Sequence, residues 1–205
     1  MLFRSAGGKT PRSRLCDLRL KSLHLESVVA AIVDALVAID ASGVPFRNFL
    51  PGVGPYGEPQ LLSQVAAYLG GQLRCEGRIC TKRTPDLLIP GEWALECKIA
   101  RPFGDNGKPA ENWSVNLLHP YPGNTSLLGD CVKLRALQAI ERKAAVVVGY
   151  EHNPPQISLA PLFLSFEAIA SSVMGIRLGE RVQSVRTGLA HPVPQQLTVA
   201  AWEVL

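Results

Sequence analysis

Two acidic residues and a lysine stand on either side of one turn, with Asp86 before it and Glu96 and Lys98 after it. If residues 90–92 form a three-residue hairpin loop, Asp86 pairs directly with Glu96. Paired side chains on neighbouring strands have Cβ atoms roughly 4.5–5.5 Å apart, so these carboxylates repel each other unless a cation compensates them. Oxygen ligands of this kind suit Mg²⁺, and a nearby ammonium can offset charge on an attacked phosphate. The pattern therefore indicates metal-assisted hydrolysis of a phosphodiester.

The register of this hairpin is supported by the alternation of apolar and polar residues. Successive side chains of a strand point to opposite faces, and a buried apolar face fixes the pairing. One face is wholly apolar and the other gathers the polar residues at one end: Leu87, Ile89, Trp93, Leu95, Cys97 and Ile99 against Asp86, Leu88, Ala94, Glu96 and Lys98. The alternative is an ion-pair cluster on a half-exposed hairpin, which would contribute little to stability.

The segment resembles the PD-(D/E)xK nuclease superfamily, which has the restriction-endonuclease-like fold. Pro85-Asp86 is similar to its PD, and Glu96-Cys97-Lys98 is similar to its ExK. The resemblance extends to element order over about residues 56–151. It implies that Asp86 and Glu96 ligate a metal together with the backbone carbonyl of Cys97, and that Lys98 positions or activates the attacking water. The implied cofactor is Mg²⁺, with Mn²⁺ expected to substitute.

Two further residues could join this site from neighbouring helices. Many members of the superfamily add a glutamate from the preceding helix, and Glu58 is the matching candidate for a catalytic role. It stands at a helix start beside Pro59, where an acid is also simply favourable to the helix dipole. Lys133, in the following helix, could face the site, although a solvated helix lysine is the more usual arrangement.

The stretch 101–123 directly follows the proposed catalytic strand and is long for a loop inside a compact domain. Its charged, amide and aromatic groups suit contact with nucleic acid, and the candidates are Arg101, Lys108, Asn112 and Trp113, with Lys133 from the next helix. The alternative is that Trp113 simply packs on the core.

The predicted fold is α/β, a restriction-endonuclease-like mixed β-sheet flanked by helices, with an α-β-β-β-α-β core and additional N- and C-terminal elements. Residues 1–21 are expected to be a basic, flexible arm. Residues 22–205 are expected to be a single nuclease domain with its core at about 56–151 and a C-terminal elaboration at 152–205. We predict helices at 23–39, 59–69, 126–142 and 165–174, and strands at 72–80, 84–90, 93–100, 144–151, 157–164 and 197–205. Gly70 and Gly71 are expected to end the second helix.

Composition is compatible with a polyanionic partner, since the net charge is +4 and the pI is about 8.9. The arm carries six basic residues against Asp17, and it is either a phosphate-binding segment or a solvated leader. No stretch is long and apolar enough for a membrane span or a signal peptide, which favours a cytoplasmic protein, although the Arg-rich start also fits a transit peptide. An odd number of cysteines, five, without a CxxC argues against a disulfide framework or a zinc knuckle.

These observations predict a metal-dependent nuclease, most simply a DNA endonuclease of restriction, defence or DNA-processing type. DNA is the expected partner ahead of RNA, no membrane contact is expected, and a homodimer would supply the two active sites that duplex cleavage requires. One alternative is a catalytically silent nucleic-acid-binding or assembly module, against which the intact Asp86, Glu96 and Lys98 argue. Another is a two-carboxylate glycosidase, which the lysine and the 6% aromatic content disfavour.

Overall fold

A computed structural model describes residues 22–73, 77–121, 123 and 125–205. The proposed basic arm, residues 1–21, lies outside the described residues. The fold is mixed α/β, with a six-stranded mixed sheet flanked by helices. Its elements are α1 (Leu25–Ala41), α2 (Glu58–Gln72), β1 (Cys80–Thr81), β2 (Leu87–Ile89), β3 (Trp93–Ala100), α3 (Val115–Leu118), α4 (Leu127–Ala136), β4 (Arg142–Glu151), α5 (Ala160–Ser172), β5 (Val182–Thr187) and β6 (Gln196–Glu203).

Among the described strands the order is β1-β2-β3-β4-β6-β5, with the central β3–β4 pair parallel and the other four pairs antiparallel. The parallel connection passes through α3 and α4, as a crossover between parallel strands requires. The predicted order of helix, three strands, helix and strand is confirmed over α2 to β4. β4 is the apolar central strand that its β-branched run predicts, and eight of its residues pair with β6.

Both faces of the sheet are buried, by two separate apolar clusters. α1 and α2 cover one face, where the apolar residues of β2 and β3 meet alternate residues of β4 and β6. α3, α4 and α5 cover the other face, where Ala100 lies among residues such as Leu134 and Phe166. The polar end of the hairpin therefore opens onto a helix-covered face rather than onto solvent.

Several predicted boundaries are wrong. α2 continues through Gly70 and Gly71 to Gln72, since a glycine weakens a helix by only about 1 kcal/mol when neighbouring residues such as Leu69 are packed in the core. Of the strand predicted at 72–80, the structure shows Cys80–Thr81 within the described part. The helix predicted at 126–142 ends at Ala136, because Arg142 already belongs to β4.

The strand predicted at 157–164 is also wrong, because α5 begins at Ala160. Pro161 suits the first turn of a helix, where its missing N–H costs nothing. The buried residues of this segment follow helical spacing: Leu162, Phe163, Phe166 and Ala170. The strand β5, which lies at the edge of the described sheet and pairs with β6, was not predicted at all. Within the described residues, no helix combines the length and hydropathy needed to cross a membrane.

Candidate active site

The β2–β3 hairpin has the predicted register, since Ile89 pairs with Trp93 and Leu88 with Ala94. Continuing this register by two residues brings Asp86 opposite Glu96. Asp86 lies just before β2, and its Oδ2 accepts a hydrogen bond of 2.9 Å from the backbone N–H of Cys97. This hydrogen bond fixes the Asp86 carboxyl group beside β3, just beyond the last paired residues of the hairpin.

Glu96 is buried, with only 2% of its surface exposed. Its Oε1 meets no hydrogen-bond donor among the described groups. Burial first, and then the hydrogen-bonded carboxyl of Asp86, raise the pKa of Glu96 to about 9. At neutral pH the two carboxyl groups therefore hold a proton between them, since like charges in contact cannot both ionise. This burial contradicts the alternative of a surface ion-pair cluster.

Lys98 lies on the same face of β3, one alternation beyond Glu96. Its Nζ is 2.8 Å from Asp130 Oδ2 and 3.3 Å from Glu58 Oε1. It also donates to the backbone carbonyl of Cys97 at 3.3 Å. Although burial alone would lower it, the pKa of Lys98 is raised by the hydrogen bond to Asp130 and the charge of Glu58. Lys98 is therefore an ammonium at any physiological pH.

Asp130 in the first turn of α4 is a site residue that the sequence analysis missed. It is 1% exposed and forms ion pairs with two lysines, Lys98 at 2.8 Å and Lys133 at 2.6 Å. Lys133 remains a largely solvated helix lysine, with 47% of its side chain exposed, and its Nζ nevertheless pairs with the buried acid. The spacing of Leu127, Asp130, Cys131 and Leu134 could have revealed Asp130, since it lies on the apolar stripe of its helix.

Glu58 is the first residue of α2, as predicted, with Gly57 at the N-cap and Pro59 following. Its side chain is 28% exposed and reaches Lys98, so it joins the cluster from the opposite end of the site. Burial, opposed in part by Lys98, raises the pKa of Glu58. Glu58 is therefore both a helix-start acid and a member of the cluster, and the two interpretations are compatible.

The cluster contains four carboxyl groups and two ammonium groups, so full ionisation would leave it with two negative charges. A divalent cation carries the charge that would balance it. Among the described residues, no three His, Cys, Asp or Glu side chains form a group that could hold a metal ion. Asp86 and Glu96 nevertheless fit a cation, since it would replace their shared proton and give the buried Glu96 Oε1 a partner.

Two pockets border the cluster, and Glu58 lines both. One, of about 320 Å³, is lined by Asp86 together with the exposed Lys82 and Arg83 of the β1–β2 connection. The other, of about 410 Å³, extends from Glu58 and Ile99 under the segment that follows β3. The cluster is thus open to a ligand from two sides, one of them basic.

The predicted nucleic-acid contacts in the stretch 101–116 divide into two groups. Arg101 and Trp113 line the larger bordering pocket, and Arg101 Nη1 also donates to the carbonyl of Gly54 at 2.6 Å. Lys108 and Asn112 are exposed and do not line either bordering pocket. The structure also brings Phe49 into the larger pocket from the α1–α2 connection, where the sequence gave no signal for it.

A pocket of about 800 Å³, larger than the two that border the cluster, shares no residue with the cluster. Its Glu167 accepts from the indole of Trp202 at 2.8 Å and pairs with Arg181 at 3.3 Å. These polar groups already stabilise the packing of α5 on β6, so this pocket has a structural explanation.

Comparisons with protein-family models, curated proteins and solved structures found no match to this chain.

Proposed function

We propose that this protein is a metal-dependent nuclease that hydrolyses phosphodiester bonds of nucleic acid, with DNA the expected substrate ahead of RNA. The observation that carries the proposal is the pair formed by the half-buried Asp86 and the buried Glu96 beside a protonated lysine. A structural ion-pair cluster would not need two contacting carboxyl groups, which repel each other. An acidic pair with an ammonium suits stabilisation of charge that develops on a phosphate.

Asp86, Glu96 and the backbone carbonyl of Cys97 are the groups that would hold Mg²⁺ or Mn²⁺. When bound, the cation supplies positive charge against the oxygens of the attacked phosphate. Asp86 is already oriented for this by the N–H of Cys97. The ammonium of Lys98 donates to the backbone carbonyl of Cys97, so it would lie beside the cation that these groups hold.

Lys98 serves the reaction as a donor rather than as a base, because its pKa lies above the ordinary value and its proton stays in place. It orients the attacking water and offsets negative charge on the phosphate. Glu58 is the carboxyl group placed to accept a proton, since it lines both bordering pockets and burial raises its pKa. Asp130 forms an ion pair with the Lys98 ammonium and lines neither of the two bordering pockets.

The order of elements and the two short motifs support a restriction-endonuclease-like fold of the PD-(D/E)xK type. Pro85-Asp86 and Glu96-Cys97-Lys98 lie on the two sides of one hairpin, and α2 brings Glu58 to the same place. The glycosidase alternative is disfavoured, since the charge of Lys98 beside the two carboxyl groups suits a phosphate better than a neutral sugar.

The proposal is tested by incubating the full chain with plasmid, single-stranded DNA and RNA, in Mg²⁺, in Mn²⁺ and in EDTA. We expect cleavage in either cation and none in EDTA, and cleavage that is slower by roughly 10²-fold or more in the Glu96→Gln variant. Binding without cleavage in both cations would contradict the proposal in favour of a silent binding module. Cleavage that persists in EDTA would exclude the role given to Asp86 and Glu96.

A further inference from the structure

The larger pocket beside the cluster combines aromatic and acidic side chains. Phe49, Phe103 and Trp113 contribute three aromatic rings from two different segments of the chain. Asp105 and Glu111 add two exposed carboxylates, and the guanidinium of Arg101 is partly engaged by the Gly54 carbonyl. With Glu58 on its wall, the pocket is acidic overall, and this composition disfavours a phosphate inside it.

The smaller pocket on the other side of Glu58 has the opposite character. Lys82 and Arg83 are exposed at its mouth, and Asp86 lies at its inner end. Exposed basic side chains at this position suit the phosphates of a polynucleotide backbone. The two pockets therefore differ in the part of a nucleotide that each can accept.

We propose, resting on the nuclease function above, that the pocket of Phe49, Phe103 and Trp113 takes one unstacked base of a single-stranded nucleic acid next to the phosphate being cut. Aromatic rings stack on bases of any identity, and carboxylates accept hydrogen bonds from exocyclic amino groups. The volume of about 410 Å³ lies within the range of pockets that hold small ligands, roughly 300–1,000 Å³. The strand then continues across the cluster, with its neighbouring phosphates against Lys82 and Arg83.

This arrangement selects for unpaired strands. A base in a duplex is stacked and paired, and it must be flipped out before it can enter such a pocket, at a cost in free energy. An unpaired strand enters without that cost. The protein therefore acts on single strands, overhangs or flaps in preference to continuous duplex.

The tryptophan fluorescence of the protein can test this inference. It has three tryptophans, and Trp93 and Trp202 are 0% and 1% exposed in the core, whereas Trp113 is half-buried in the pocket wall. A base that stacks in the pocket quenches Trp113, while the two core indoles give a constant background. We propose to titrate the full chain in EDTA with a short single strand, with the same strand made abasic, and with a hairpin duplex of the same sequence.

We expect quenching by the single strand and little change with the abasic strand or the duplex. The quenching disappears in Trp113→Phe, which keeps a stacking ring and therefore keeps binding. Trp113→Ala weakens single-strand binding by about 5- to 150-fold, as loss of one stacked base predicts, and leaves duplex binding unchanged.

Equal quenching by the abasic strand would overturn the inference, because the signal would then come from phosphates. Equal quenching by the duplex, or binding of the single strand without any change in emission, would also overturn it. The result is independent of catalysis. Cleavage in Mg²⁺ without quenching would retain the nuclease and remove the base pocket, whereas quenching without cleavage would retain a base pocket and contradict the nuclease.

Discussion

Glu96 and Glu151 lie on the same face of the sheet, on the neighbouring strands β3 and β4, and are 2% and 6% exposed. Glu151 is saturated with donors. The N–H of Leu159 reaches its Oε1 at 3.0 Å, and the side chains of Gln196 and Thr198 reach its Oε2 at 3.0 and 3.1 Å. Glu96 has an acid as its neighbour and an oxygen without a donor.

The difference separates two uses of a buried carboxylate. Glu151 ties the start of α5 to β4 and β6, so it stabilises the fold. Glu96 costs stability in the metal-free protein, because a buried polar atom without a partner is unfavourable. A buried group that lowers the stability of the fold is a candidate for a functional role. Asp40 belongs with Glu151, since it accepts from the N–H groups of Val53 and Ala190 at 2.9 and 2.8 Å.

The largest expected effect is that of Lys98→Ala. Loss of the ammonium should slow cleavage by roughly 10²–10³-fold. It should also destabilise the protein, by up to about 3–5 kcal/mol, because the buried Asp130 loses one of its two partners. The double variant Lys98→Ala/Asp130→Asn removes that buried charge and should recover most of the melting temperature without recovering activity. Recovery of activity in the double variant would contradict the role given to Lys98.

Glu96→Gln is expected to lower activity by roughly 10²-fold or more while leaving the protein at least as stable. The substitution keeps the side-chain volume and replaces a carboxyl group that is protonated at neutral pH. Cleavage rates and thermal melts in EDTA measure the two effects separately. A strong loss of stability would mean that Glu96 supports the fold.

Glu151→Gln is the matched control, and the comparison predicts the reverse. An amide has one oxygen and a donating NH₂ group, so it cannot accept from all three donors that the two carboxylate oxygens now serve. The free energy of unfolding should therefore fall by about 1–3 kcal/mol. The cleavage rate of the folded variant should be unchanged. If Glu151→Gln melts at the wild-type temperature but no longer cleaves, Glu151 acts in catalysis as Glu96 does, and the comparison is contradicted.

The pH dependence of stability has a definite sign. The folded protein retains a proton on Glu96 up to about pH 9, whereas the unfolded chain releases it near the ordinary value of 4.5. Stability from this group is therefore full below pH 4.5 and falls as the pH rises between these values, by up to about 1.4 kcal/mol per pH unit. The wild type in EDTA should lose stability relative to Glu96→Gln over that interval. Parallel curves for the two proteins would contradict the shared proton.

The smallest expected effect concerns single basic residues. Lys82→Ala should weaken binding of a single strand and reduce the slope of log K against log salt by about 0.7, the contribution of one phosphate contact. Lys108→Ala is the control, since Lys108 is exposed and lies outside both bordering pockets. Equal effects of the two substitutions would mean that the strand does not follow the path from the basic pocket to the cluster.

The hairpin and its acids were predictable because their signals are local. Alternation with a period of two fixed the register of β2 on β3, and the register alone brings Asp86 to Glu96. The position of Glu58 at a helix start also followed from its neighbour, Pro59. Such patterns span fewer than twenty residues and depend little on the rest of the chain.

The remaining parts of the site depend on packing between distant segments. Asp130 reaches Lys98 because α4 crosses the sheet on one face, and no local pattern shows which way that helix lies. Phe49 reaches the pocket through a connection that Arg101 holds by the Gly54 carbonyl. The strand prediction at 157–164 is wrong for a different reason, because the periodicity of a short apolar run does not distinguish a strand from a buried helix.

The central claim is that Asp86 and Glu96 exchange their shared proton for a divalent cation. Calorimetric titration of the full chain with Mn²⁺ at neutral pH, in two buffers of different ionisation enthalpy, measures both binding and proton release. We predict one site per chain that releases about one proton, abolished in Glu96→Gln and retained in Glu151→Gln. Equal Mn²⁺ affinity in the wild type and Glu96→Gln, or binding without proton release, would contradict the claim.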